Sequence, residues 1–166
     1  MRRAAALFLV GCLVFIPACL QAEERIKADR IVVLKNDHKM LLYANGQVIR
    51  TYKVALGRGG LEKRERAGDH RVPEGTYVID WRNPNSRYHL SLHISYPNPA
   101  DRERAKPLGV DPGGDIMIHG LPNGRGWIGR LHRLVDWTQG CVAVTDSEIE
   151  EIWKLVPDGT PIEIRP

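Results

Sequence analysis

Ile31-Val32-Val33-Leu34, Met40-Leu41-Leu42-Tyr43 and the run from Gln47 to Val54 fit within 24 residues, parted only by short polar turns. Each is the length of a strand, and Asn45-Gly46 joins the second to the third. Both central positions of a tight hairpin turn need positive φ, and Asn-Gly meets that demand best. The chain therefore opens as antiparallel β structure. Further along, Tyr77 to Trp81 reads as a strand, and Leu90-Ser91-Leu92-His93-Ile94-Ser95 alternates with the period of two of a half-buried one. Ile116-Met117-Ile118-His119 and Ile162-Glu163-Ile164 read likewise. Between them, Val72-Pro73-Glu74-Gly75-Thr76 is a turn. The segment Asn98–Ala105 is a short helix with Pro99 in its first turn. Thr145 and Glu148 form a capping box that opens a second helix, whose apolar face is Ile149, Ile152, Trp153 and Val156. Gly57 to Arg71, with Glu62-Lys63-Arg64-Glu65-Arg66 at its centre, reads as a solvated loop, or else as a flap facing a substrate. The sum is a mainly β domain with one or two short helices. The 11 prolines and 16 glycines against 2 phenylalanines agree with it.

The 166 residues have room for one domain, and 27% charged with 43% hydrophobic residues excludes a disordered tail or a multi-span membrane protein. Met1-Arg2-Arg3, the uncharged run Ala4 to Ile16 and small residues ending at Ala22 form the three parts of an export signal. The run is shorter than the roughly 20 residues that span a bilayer. Residues 1–22 are thus expected to be a signal peptide and 23–166 the mature domain, exported and periplasmic. Leu9-Val10-Gly11-Cys12 leaves lipid anchoring as the lesser alternative, and membrane contact is expected only in that case. Removing Arg2 and Arg3 leaves 22 basic against 20 acidic residues, a charge of +2. That is too small to argue for nucleic acid. Cys12 and Cys19 leave with the signal, so Cys141 stands alone. Oxidising compartments favour paired cysteines, which makes a lone exported thiol a candidate reactive group.

Two pieces carry chemistry: Ile116-Met117-Ile118-His119-Gly120 and Thr138-Gln139-Gly140-Cys141-Val142. A cysteine nucleophile needs a base or a positive partner, because its free pKa of about 8.5 leaves little thiolate at neutral pH. His119 can supply that base and later protonate a leaving amine. Gly140, lacking Cβ, lets a carbonyl approach the backbone, where nearby N–H groups can face an oxyanion. An inert, buried Cys141 is the competing reading. A zinc site is another, but His89 and His93 four apart on a strand stand about 13 Å from each other.

At these two pieces the chain resembles the L,D-transpeptidase (YkuD-type) catalytic domain family. Its signature is His-Gly followed downstream by Ser/Thr-x-Gly-Cys, here His119-Gly120 and Thr138 to Cys141. The likeness runs from about Ile31 to Ile164 and includes Val72–Thr76 and Gly113–Gly120. Gln139 departs from the second histidine of many members, and Ala143 from their arginine or asparagine. The segment Gly140–Ile149 (Gly-Cys-Val-Ala-Val-Thr-Asp-Ser-Glu-Ile) is similar to a branch that includes enzymes acting on links between peptidoglycan and lipoprotein.

The resemblance implies a mainly β, sandwich-like catalytic fold, and an enzyme of cell-wall biogenesis and cell shape whose partner is the peptidoglycan stem peptide, with a wall-linked lipoprotein as a further possibility. Cys141 would attack the carbonyl at the L-centre of diaminopimelate or a similar third stem residue and expel D-alanine. His119 would shuttle the proton, the Gly120 carbonyl would orient the imidazole, and the N–H groups of Gly140 and Cys141 would face the oxyanion. No metal or organic cofactor is implied. Transfer to a stem amine gives a crosslink; transfer to water makes the protein a carboxypeptidase or an amidase. A wall-binding protein without turnover is the reading of a different class. The 21 residues between His119 and Cys141 suggest a lid or binding wall. Arg125, Trp127, His132, Trp137, Thr138 and Gln139 are its candidate substrate contacts.

Overall fold

The computed structural model describes residues 26–166; the export signal expected at 1–22 lies outside them. Among the described residues are eight strands: β1 Arg30–Leu34, β2 Lys39–Ala44, β3 Gln47–Lys53, β4 Gly75–Ser86, β5 His89–Ile94, β6 Met117–His119, β7 Val142–Ala143 and β8 Pro161–Arg165. They form one sheet in the order β3-β2-β1-β8-β4-β5-β6-β7. The first hairpin turns at Asn45 and Gly46 with φ of 52° and 76°, as the sequence demanded. β1 pairs parallel to β8, β6 pairs parallel to β7, and the remaining pairs are antiparallel.

β4 is where the sheet curls. Its first residues, Gly75 to Val78, pair with β8, whereas Ile79 to Ser86 pair with β5. Register shifts at Ile79/Trp81 and Asn83/Ser86 bend it between the two partners. The strand expected over Tyr77–Trp81 thus runs to Ser86, and Pro84 is tolerated because it falls at the second bulge. The curl brings the two ends of the sheet together. Past β3, Ala55 exchanges backbone hydrogen bonds of 3.0 and 2.9 Å with Ala143 of β7. Next to it, Leu56 O accepts the Thr138 N–H at 3.0 Å, and Asp136 Oδ1 accepts the Leu56 N–H at 2.7 Å. The strand end ahead of Cys141 is therefore tied to both edges of the sheet.

The core is aliphatic: Ile31, Val33, Met40, Leu42, Leu56, Ile79, Leu92, Ile94, Ile118 and Val142 are all buried. α1 (Pro99–Ala105) starts at an Asn98–Asp101 capping box, with Pro99 at the first helical position. α2 (Asp146–Leu155) starts at the Thr145–Glu148 box and packs on β5 and β6. Its stripe of Ile149, Ile152 and the capping Val156 is fully buried, each contributing about 2 kcal/mol. Trp153 is partly buried beneath the Arg82 guanidinium. No described helix is long and apolar enough to cross a membrane.

Of the two readings of the Gly57–Arg71 loop, the solvated one is corrected: Arg64 is buried at 5% exposure. Its Nε donates to Pro112 O at 3.1 Å and its Nη1 to Arg71 O at 3.3 Å. The fully buried Lys35 holds the same loop, donating to Glu62 O at 3.0 Å and pairing with Glu74 at 2.6 Å. The distant Pro112 carbonyl thus captures Arg64, which the local charge run presents as surface. The stretch between His119 and Cys141 is locally ordered. It carries 3-10 turns over Gly126–Leu134, kinked at Gly129, where φ is 51°.

Candidate active site

His119 ends β6, the strand flanked by β5 and β7. Its side chain is 3% exposed, and Nδ1 donates to the Gly120 carbonyl at 2.7 Å. A carbonyl only accepts, so the proton sits on Nδ1 and the lone pair on Nε2. Burial lowers the imidazole pKa to about 4; the Gly120 bond raises it and nearby His132 lowers it further, both lesser effects. The resting ring is neutral. Tyr88 lies 4.5 Å from it, centroid to centroid, and Trp137 meets it edge-on at 5.7 Å. Gly120 turns the chain against the start of α2. A Cβ there would stand 2.8 Å from Asp146 Oδ1 and 3.1 Å from His89 Cβ, so only glycine leaves its carbonyl under the ring.

Cys141 immediately precedes β7. With Ile118 opposite Val142 and His119 opposite Ala143, the thiol and the imidazole stand at diagonal positions of the β6–β7 pair. Cys141 is half-buried, and its Sγ donates to the Asp115 carbonyl at 3.7 Å. Burial pushes the thiol pKa up; the Met117 N–H and the Arg64 charge pull it down without cancelling the rise. At rest both groups are neutral, so no preformed thiolate–imidazolium pair is held here. Gly140 turns at φ 116°, where a Cβ would stand 2.7 Å from Arg71 O and 2.8 Å from Arg64 Nη1. The bare backbone is what admits the guanidinium beside the thiol. Thr138, buried at the turn, accepts the Gly140 N–H on Oγ1 at 3.2 Å and donates to the Cys141 carbonyl at 2.8 Å.

His119 and Cys141 open onto one cleft of about 630 Å³, within the ordinary range for small-ligand sites. Trp137, Thr138 and Gln139 line it as well. The other three candidate contacts stand elsewhere: Arg125 and Trp127 are exposed outside the lining, and His132 is buried behind Trp137, accepting its Nε1–H at 3.4 Å. The flap reading of Gly57–Arg71 covers Arg64 without singling it out, and the sequence gives no sign of Tyr88 or of the hairpin residues Asn83, Asn85 and Arg87; all five line the cleft. Nothing in the local pattern marks them, because their place depends on the curl of β4 and on the fold of the Gly57–Arg71 loop. His89 and His93, weighed as a metal pair, each contact a carboxylate instead, Glu150 at 2.8 Å and Asp80 at 2.6 Å.

The L,D-transpeptidase catalytic domain (YkuD) model matches residues 28–164. YafK from Escherichia coli (strain K12), named as an L,D-transpeptidase only provisionally, is 31% identical over 134 residues, covering 76% of this chain and 46% of YafK. Among solved structures, the helical cell shape determining protein Pgp2 from Campylobacter jejuni superposes with a TM-score of 0.62 at 22% identity, covering 85% of this chain and 48% of Pgp2. Bd1075 from Bdellovibrio bacteriovorus does so with 0.61 at 27% identity, covering 87% of this chain and 50% of Bd1075. The chain spans about half the length of these relatives.

Proposed function

Because the chain belongs to the L,D-transpeptidase catalytic domain family, we propose that it transfers acyl groups of peptidoglycan stem peptides through a thioester on Cys141. One observation carries the reading: the half-buried thiol of Cys141, the one cysteine among the described residues, and a buried imidazole of fixed tautomer share a cleft across adjacent strands. We read residues 1–22 as its export signal, 23–166 as the mature domain and the periplasm as its place of work.

The reaction starts from the neutral pair. Sγ leaves the Asp115 carbonyl and turns toward His119. Nε2 takes the thiol proton as sulfur bonds to the stem carbonyl carbon at the L-centre of the third residue. Concerted proton transfer suits the geometry, since neither the thiolate nor the imidazolium is favoured in isolation. Arg64, itself 3.6 Å from Asp69, supplies the positive charge that steadies the developing thiolate, which the uncharged Ala143 does not offer. The carbonyl oxygen gathers negative charge facing the Cys141 N–H; the Gly140 N–H is already given to Thr138. Collapse breaks the C–N bond to D-alanine, and the proton on Nε2 goes to the departing amine. An incoming stem amine then surrenders its proton to His119, attacks the thioester and restores the thiol. Trp137, Thr138 and Gln139 form the wall against which the stem lies. Water in place of the amine gives the hydrolytic outcome, a carboxypeptidase or an amidase on stem–lipoprotein links.

The test is mass spectrometry of the intact protein after incubation with tetrapeptide muropeptides, alongside Cys141→Ala. The expected result is an acyl adduct on Cys141 with release of D-alanine, absent from the variant, and the product then separates crosslinking from trimming. An unmodified Cys141, with the same products from the variant, would remove the thiol from the chemistry.

A further inference from the structure

Nine large apolar residues are exposed among the described residues, and four of them fall within one stretch of nine: Trp127 at 83%, Leu131 at 66%, Leu134 at 79% and Val135 at 66%. The 3-10 geometry explains part of the grouping. Residues three apart eclipse one another in such a turn, so Leu131 and Leu134 stand in line. Water contact for an indole and three aliphatic side chains on one segment is unfavourable, and a patch of this kind marks an interaction site.

The charge around the patch says what covers it. Arg125, Arg130 and Arg133 fall within the acid-free run Ile116–Val135. Of the carboxylates beside it, Asp136 is held by His38 and the Leu56 N–H, and Asp146, which faces Gly126, accepts the Leu121 N–H. Arg133 is taken by Glu148. Arg125 and Arg130 are exposed, and neither pairs with an acid among the described residues. A tryptophan and leucines flanked by free arginines, with no acid between, is the composition that lies in a bilayer interface. Indoles prefer the headgroup level, and arginines bind phosphate in a forked geometry.

We propose that the Gly126–Val135 segment docks on an anionic phospholipid surface. Trp127, Leu131, Leu134 and Val135 enter the interface, and Arg125 and Arg130 meet lipid phosphates. Trp137, two residues on, is a wall of the cleft, so docking holds the mouth of the cleft beside the membrane. The contact needs no lipid anchor, and it stands whether or not Cys141 transfers acyl groups.

The experiment uses the protein recovered after export, its first residue fixed by intact mass. It is mixed with vesicles of phosphatidylcholine alone or with added phosphatidylglycerol, the acyl chains brominated to quench indole emission at depth. Anionic vesicles are expected to quench an emission component that Trp127→Phe lacks, although that variant still co-sediments. Leu131→Ser with Leu134→Ser, at an unchanged thermal midpoint, should weaken vesicle binding by about tenfold or more. Arg130→Gln should weaken it by about fivefold, and salt should mimic that loss. Equal quenching of wild type and Trp127→Phe would overturn the proposal. So would an absence of vesicle binding, including the case in which the leucine variants instead abolish self-association.

Discussion

The two walls of the cleft are built by different means. The β6–β7 wall carries His119 and Cys141 on hydrogen-bonded strands, and the adjacent turn is closed by Thr138 and fastened to Leu56. The opposing wall, Gly57 to Arg71, has no strand. It hangs on buried cations that reach distant carbonyls: Lys35 to Glu62, and Arg64 to Pro112, 48 residues away. The first wall is set by backbone pairing, with reactive groups marked by the glycines next to them, and the second by side-chain cations whose partners lie far away in the sequence. Variants on each should accordingly fail in different ways.

His119 gives the largest contrast. His119→Gln should lower kcat/KM by about 10³-fold, the scale of a lost general base. The same substitution should flatten the acid side of the stability curve. Above pH 6.5 the ring is neutral whether folded or unfolded, so the residue imposes no pH dependence there. As pH falls from about 6.5 toward 4, the unfolded chain takes up a proton that the buried ring refuses. Folding stability should fall by up to about 3 kcal/mol across that window. Urea titrations from pH 7 to 4 read it directly, and a variant as acid-sensitive as the wild type would refute the burial account.

On the opposing wall, Arg64→Met keeps the stem but removes the charge beside the thiol. Acyl transfer should fall about tenfold to a hundredfold, the worth of one or two pKa units of electrostatic support. Iodoacetamide labelling of Cys141 should shift to higher pH. Arg64→Lys, which restores charge without the planar fork, should recover the labelling profile better than the thermal midpoint. A guanidinium that merely braced the loop would lower stability in both variants and leave the thiol titration in place.

The same division decides what could be read from the sequence. The hairpin at Asn45-Gly46, the Thr145–Glu148 capping box and the strands β1, β2, β5 and β8 follow from local turn chemistry and period, and all stand within a residue or two of expectation. His119 and Cys141 were visible because glycines beside reactive groups make short motifs. Arg64 was hidden in Glu62-Lys63-Arg64-Glu65-Arg66, where every residue has the composition of a surface. Its burial arises because Gly140 leaves room for the guanidinium and Pro112 offers a carbonyl. β4 was cut short for a related reason: its extension past Trp81 needs β5 as partner and a bulge to house Pro84.

Thr138 sets the smallest effect and the finest division between the walls. It lies on the strand-borne side, yet its hydroxyl acts purely locally, taking the Gly140 N–H and giving its own proton to the Cys141 carbonyl. Thr138→Val preserves shape at a 3% exposed site and strands both backbone groups, which should cost about 1–2 kcal/mol of stability. Freed from Thr138, the Gly140 N–H can turn to the oxyanion as a second donor, offsetting the looser placement of Sγ. Activity should then drop less than about tenfold, far below the loss at His119, while Thr138→Ser keeps both. If Thr138→Val were instead as inactive as His119→Gln with its midpoint unchanged, the hydroxyl would have to touch the reacting atoms, and the division between a turn that holds and a pair that reacts would fail at this residue.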